Sequence, residues 1–285
     1  MKIGFIGAGR VGTSLGKYLT ENGQCVTGYY SRSSDSAASA AAFTDTKAYD
    51  DMAMLINDSD VIFITVPDSA ITQVYRQLAG YGINGKVLCH CSGAMTADEA
   101  FPEISSHGAA GLSIHPALAV SSRTESYKDL AGAFFCIEGD EKNCDIWRKL
   151  LSSMGNTVKL IDSGSKTKYH AACSIASNLV CMLIDESVGL LGECGFSEEE
   201  ALSALRPLAS ANMEKVLSAG AVKALTGPVE RNDTGTVEKH INCISDKVSR
   251  DMYKAAALRL VQTAGRKNPG TDYSAMREIL SRKEE

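Results

Sequence analysis

The sequence predicts an N-terminal α/β domain with a mostly parallel, doubly wound sheet, followed by an all-α C-terminal domain. Three observations carry this. Short β-rich apolar runs alternate with helical patterns as far as about residue 162, which is how βαβ units around a parallel sheet read. A glycine-rich turn sits directly after the first run. Beyond residue 162 the period changes, and long helical patterns with Gly- or Pro-containing joints take over.

In chain order, residues 1–6 form a largely apolar strand, residues 10–22 a helix and residues 24–30 a second strand. Residues 61–66 are β-branched and apolar, as a strand covered by helices on both faces should be. Pro67-Asp68 stops that strand and can start a helix. Residues 86–91 and 111–114 repeat the pattern. A strand at 134–138, a helix near 144–154 and a strand at 157–161 then close the sheet. Helices at 165–193, 197–219, 234–264 (broken once) and 272–283 build the second domain. The expected division is 1–162 and 163–285, with no low-complexity linker between the two.

Composition narrows the class. A chain of 285 residues with 44% hydrophobic and 22% charged content reads as an ordinary globular protein, not a disordered, collagen-like or disulfide-scaffold chain. The longest apolar runs, 61–66 and 179–184, fall short of the ~18 to 20 residues a bilayer requires. No export signal is present, so a cytoplasmic protein with no membrane partner is expected. A net charge of −5 without a basic run argues against nucleic-acid binding. Nine cysteines without a CxxC pair, mostly inside apolar runs, read as buried reduced thiols. Cys89-His90-Cys91 is a poor metal site, because alternation along a strand turns His90 away from both thiols. No metal is expected.

Gly7-Ala8-Gly9-Arg10-Val11-Gly12 matches GxGxxG between a strand and a helix, the Rossmann context in which the spacing has a physical cause. Gly7 permits the tight turn, Gly9 lets the backbone approach a pyrophosphate, and Gly12 lets helix pack on strand. The helix N-terminus then offers free N–H groups to the anion. The second strand should end on the residue that reads the adenine ribose, where a carboxylate would select NAD. Here it ends Tyr30-Ser31-Arg32-Ser33. An arginine between hydroxyls suits a 2′-phosphate, so NADP is expected over NAD, unless Arg32 is merely a solvated loop residue.

In an open α/β sheet, ligands sit beyond the carboxyl ends of the strands. That rule nominates Val66-Pro67-Asp68, Ser92-Gly93 and His115-Pro116. Ser92-Gly93 offers a hydroxyl and a bare N–H near a nicotinamide, or is only a turn. His115 either polarises a substrate carbonyl and donates a proton, or caps neighbouring backbone. On the first helix after residue 162, Lys166, His170, Ser174 and Asn178 are spaced four apart and share one side among apolar neighbours. A helix apolar nearly all round is expected to be buried, and its polar residues then need partners or a ligand. Arg231, in the polar segment 226–233, pairs with a substrate carboxylate or is solvated. Asp233 or Thr234 can cap the helix that follows.

Together these motifs resemble the family of Rossmann-like proteins carrying a C-terminal DUF2520 domain. That family lies within the pyrroline-5-carboxylate reductase, ketopantoate reductase and β-hydroxyacid dehydrogenase group. The resemblance covers nearly the whole chain. It rests on residues 7–12, His90-Cys91-Ser92-Gly93-Ala94, Ser113-Ile114-His115-Pro116, Lys168-Tyr169-His170-Ala171-Ala172 with Ser177-Asn178, and Thr226-Gly227-Pro228-Val229-Glu230-Arg231-Asn232-Asp233. It implies NADP (NADPH) binding, a C-terminal domain like that of 6-phosphogluconate dehydrogenase, and a homodimer built through the helical domain. Several relatives use a Lys and an Asn one turn apart on the first interdomain helix. The position four before Asn178 is Ser174, so Lys166 or His170 would take the electrophilic or acid role. The function expected is an NADP-dependent oxidoreductase that reduces a small 2-oxo acid or imine. The alternatives are a non-catalytic NADP-binding sensor and a scaffold that retains only the fold.

Overall fold

The computed structural model describes residues 1–282. The chain divides into two compact units, Met1–Asn178 and Leu179–Glu285. The first contains β1 (Lys2–Ile6), α1 (Arg10–Glu21), β2 (Cys25–Tyr30), α2 (Ser34–Thr44), β3 (Lys47–Tyr49), α3 (Met52–Asp58), β4 (Val61–Ile64), α4 (Asp68–Ala79), β5 (Val87–His90), α5 (Ala97–Ala100), β6 (Ala110–Pro116), β7 (Phe134–Gly139), α6 (Glu141–Ser153), β8 (Thr157–Leu160) and α7 (Lys166–Ala176). One eight-stranded sheet has the order β3-β2-β1-β4-β5-β6-β7-β8. Its first six strands run parallel, β7 is antiparallel to β6, and β8 is parallel to β7.

Period-2 alternation explains the two core layers. All four β4 residues are buried. Val61 and Phe63 face one layer with Phe5, Tyr29 and Trp147, while Ile62 and Ile64 face the other with Leu55, Leu78 and Phe101. The register that sets Phe5 opposite Phe63 stacks the two rings at 5.3 Å between centroids, and Trp147 of α6 meets Phe63 edge-on at 5.2 Å.

The second unit holds α8 (Asn178–Glu193, whose first residue closes the first unit), α9 (Glu198–Ala219), α10 (Ala221–Ala224), α11 (Thr234–Cys243), α12 (Lys247–Lys267) and α13 (Ser274–Ser281). Its core gathers Val229, Val237, Val261, Tyr273, Met276 and Leu280. Ser197 and Glu200 close a capping box on α9, and Asp233 caps α11 by accepting from the Thr236 N–H at 3.0 Å.

Several expectations change. The division falls after Asn178, not at 162, because α7 anchors to β6: the Lys166 ammonium donates to the Ser113 hydroxyl. The helix expected at 165–193 is broken at Ser177, whose φ of −120° and ψ of −73° leave the helical range. Nor is it buried. Lys166 is the only buried residue of α7, and α8 has none; Leu179 and Leu183 are 45% and 46% exposed. The segment Ser163–Glu193, with a mean hydropathy of 1.4 in its most apolar window, is long and apolar enough by composition to cross a membrane, contrary to expectation. Of the helix expected at 272–283, α13 occupies Ser274–Ser281 and Lys283 lies outside the described residues.

Candidate functional site

The glycine turn behaves as three separate requirements. Gly7 has φ +105°, and a Cβ there would lie 2.8 Å from the Thr65 backbone. A Cβ at Gly12 would overlap the Thr65 hydroxyl and the Gly7 carbonyl, so α1 seats on the sheet only with hydrogen at that position. At Gly9, the N-cap of α1, no atom but the Thr65 carbonyl comes within 4.0 Å of such a Cβ. The room beside Gly9 is therefore open to a ligand. The first turn of α1 carries no acidic residue, which leaves the helix's positive end uncompensated for an anion. Ala8 is buried, Val11 half-buried and Arg10 exposed. The segment after β6 packs over this turn: Arg123 donates to the Ala8 carbonyl, and the Ser14 hydroxyl to that of Ser122 at 3.0 Å.

At the end of β2, Arg32 is exposed and Ser31 half-buried. Ser33, expected at the cofactor, also caps α2 by accepting from the Ser36 N–H at 3.2 Å. That bond uses a lone pair of the oxygen, and the exposed hydroxyl keeps its proton to donate.

Because β1, β4, β5 and β6 are parallel neighbours, their carboxyl ends share one edge of the sheet. Val66 is half-buried there and Pro67 exposed, and Pro67 stands at the N-cap of α4. Two nominated groups are already committed to each other. The Ser92 hydroxyl donates to the Asp68 carboxylate at 2.6 Å and accepts from the Met95 N–H at 3.1 Å. These bonds hold the turn after β5 and spend the Ser92 proton, while the exposed Asp68 carboxylate keeps further acceptor positions.

Gly93 has a different task. A Cβ there would overlap Nδ1 of His170 and lie 2.9 Å from Nε2 of His115, so the missing side chain admits both imidazoles. The two rings meet edge to face at 5.9 Å between centroids. His115, from β6, bonds through Nδ1 to the Tyr169 hydroxyl at 2.8 Å, while His170 Nδ1 is buried without a partner among the described residues. Both histidines, with Leu118, Cys173, Ser174 and Asn178, line a cavity of about 530 Å³. The Ser174 hydroxyl lies 3.4 Å from the Asn178 amide oxygen. Three of the four residues spaced along the helix thus reach the cavity. Lys166 does not: one turn before His170, it is buried and its ammonium turns to Ser113. Arg231 lies in the second unit, exposed on the turn before α11.

Burial sets the charge states. It pushes His115 down to about 4, helped by the Lys166 charge and then by His170. His90, which accepts the Ser92 N–H on Nδ1 at 3.1 Å, is pushed down to about 3 by burial and then by Lys166. Both are neutral at pH 7. Burial also lowers the Lys166 ammonium below the usual lysine range, raises the Tyr169 phenol and lifts the Cys91 thiol to about 12. Cys91 is therefore a thiol and not a nucleophile. Tyr169 and Arg123 were not sequence candidates. Their signal is a contact with residues 54 and 115 positions away, beyond any local pattern.

Comparison with known proteins bears on the fold and the cofactor edge. A Rossmann-like domain model matches residues 1–116, and the model of a domain of unknown function, DUF2520, matches residues 133–260, starting at β7 instead of after the sheet. Glycerol-3-phosphate dehydrogenases (NAD(P)+) of Leuconostoc citreum (strain KM20) and Bacillus subtilis (strain 168) are 34% and 30% identical over 90 and 109 residues, 27% and 34% of this chain. The chain spans 27% and 32% of those relatives' lengths. Among solved structures, protein TM1727 from Thermotoga maritima superimposes with a TM-score of 0.73 at 26% identity, covering 93% of this chain and 99% of its own. An imine reductase from Pseudomonas sp. gives 0.66 at 17%, covering 98% and 99%. One from Myxococcus stipitatus in complex with NADP+ gives 0.62 at 17%, covering 99% and 100%; at that identity the likeness is one of fold. The chain therefore joins a Rossmann-like domain to a DUF2520 domain, as its glycine turn and its helical motifs lead one to expect.

Proposed function

We propose that the protein is an NADP-dependent reductase of a small 2-oxo acid or imine. The observation that carries this is the pair of imidazoles, His115 and His170, packed over Gly93 on the sheet edge that also holds the glycine turn. The open space at Gly9 and the uncompensated N-terminus of α1 suit a dinucleotide diphosphate. Arg32 suits the 2′-phosphate, where one charge-assisted contact contributes on the order of 1.5 to 3 kcal/mol. The nicotinamide supplies the hydride. The chain's own groups do the rest: His115, neutral at pH 7, polarises the carbonyl or imine as a hydrogen-bond donor, His170 passes a proton to it, and Ser174 and Asn178 orient the substrate. The imine reductase likeness in fold supports the imine arm of this reading.

Calorimetric titration with NADPH and NADH, repeated with Arg32→Ala, tests the cofactor half. NADPH should bind at least ~10-fold more tightly, and the variant should lose that margin. Turnover of a panel of 2-oxo acids and cyclic imines should fall ~10²-fold in His170→Ala with NADPH affinity intact. If neither nucleotide binds, the reading is wrong. A second reading, a non-catalytic NADP-binding sensor, draws on the withdrawal of Lys166 from the cavity and requires binding without NADPH oxidation by any member of the panel.

We also propose that two copies pair through the helical unit. The apolar side chains of α8, exposed in the single chain, are the reason.

A further inference from the structure

Tyr169, bonded to the cavity-lining His115, is a polar side chain that the reading above leaves idle. It stands one residue before His170 on α7, and its ring meets His115 edge to face at 5.6 Å, with the phenol oxygen 2.8 Å from Nδ1. That hydrogen bond can run in two directions, and the neighbours decide which. Besides His115, the ionisable groups whose presence the phenol feels are the thiols of Cys136 on β7 and Cys173 one helical turn along α7, which together with burial raise its pKa. A thiol sulfur is a weak acceptor, whereas an unprotonated imidazole nitrogen is a strong one. The phenol therefore spends its proton on Nδ1. The thiols, weak S–H donors, are left to face its oxygen.

We propose that Tyr169 is a positioning residue: its O–H donates to Nδ1 of His115, fixes the His115 proton on Nε2, and so aims an N–H donor at the space above Gly93, beside the unpartnered Nδ1 of His170. Without the phenol, a neutral imidazole would divide its proton between two nitrogens. In the other tautomer the cavity would be offered an acceptor where a carbonyl or imine needs a donor. The two atoms that border Gly93 are then unlike, a donor on His115 and an open nitrogen on His170. A carbonyl oxygen or an unprotonated imine nitrogen accepts the His115 N–H, and His170 stands beside it to pass the proton. The consequence for turnover rests on the reductase reading; the tautomer itself does not.

Long-range ¹H–¹⁵N correlation spectra of the labelled full chain, without cofactor or substrate, distinguish the two tautomers. The His115 signals are assigned by their loss in His115→Asn. The expected result is the Nε2–H form in the wild-type protein and a mixture of both forms in Tyr169→Phe, which keeps the ring and its packing. With NADPH and a reducible substrate, that variant should lose about tenfold in kcat, the worth of one hydrogen bond, at unchanged NADPH affinity. An Nδ1–H form in the wild type, or an unchanged Nε2–H form in Tyr169→Phe, overturns the proposal. If the tautomers behave as expected and no substrate is reduced, the reductase reading fails and the role of Tyr169 in holding His115 stands.

Discussion

Lys166 occupies an expensive setting: an ammonium taken wholly out of water with the Ser113 hydroxyl as its hydrogen-bond partner. Its charge also reaches His90 and His115, where it adds to the effect of burial. Lys166→Met keeps the length and removes the charge. The variant should be as stable as the parent, or more stable by about 1–4 kcal/mol, because Ser113 still donates to the Ser92 carbonyl. The His115 pKa should rise from about 4, since a positive neighbour no longer opposes protonation, yet stay below 6.5 because burial remains. An NMR titration reads this, and an unmoved His115 would remove Lys166 from the site's electrostatics. Residue by residue, His115, His170, Ser174 and Asn178 were legible because a strand end and a four-residue spacing are local facts. The turn of Lys166 away from them was not, since nothing on the helix says that β6 presents a hydroxyl to it.

Helix α8 makes the corresponding case at the level of elements. A stripe of Leu, Val and Ile on most sides predicts burial, yet none of its residues is buried; periodicity reports how apolar a face is and not which chain covers it. Contiguous apolar surface of this kind is unusual on a monomer, so a dimer should scatter light with twice the 30.3 kDa mass of the chain. Leu183→Asp combined with Leu190→Asp should return single-chain mass, and a wild-type monomer would refute the pairing. Between β2 and β4 the sequence was silent about α2, β3 and α3. The β3 strand has three residues, and α2 is built from Ala and Ser around a single Phe, too few large apolar groups for a period to show. Their identity as a strand and helices comes from the pairing of β3 with β2 and from the caps at Ser33 and Asp51.

For the molecule as a whole, the buried histidines set the response to acid. His90 and His115 have folded-state values near 3 and 4, below the ~6.5 of an unfolded chain. Between those values the unfolded state binds more protons, so their contribution is complete above pH 6.5 and is lost as pH falls toward 3, at about 1.4 kcal/mol per unit for each group. Glu138, raised by burial, works the other way just above its usual range. The melting temperature should fall between pH 6.5 and 4.5, before most carboxylates titrate, and His90→Asn, which keeps an acceptor for the Ser92 N–H, should flatten that fall. A flat profile in the parent would contradict it.

The chain's local order settles most strands and helices of the sheet domain, where the glycine turn lies and which strand ends share one edge of the sheet, because side-chain period, glycine torsions and parallel connection are properties of neighbouring residues. Only the folded molecule decides that Ser92 and Asp68 bond to each other across 24 positions, that Gly93 admits two imidazoles, and that Tyr169 holds one of them. These depend on how closely distant segments approach once the strand order is formed, and no window of sequence contains that distance.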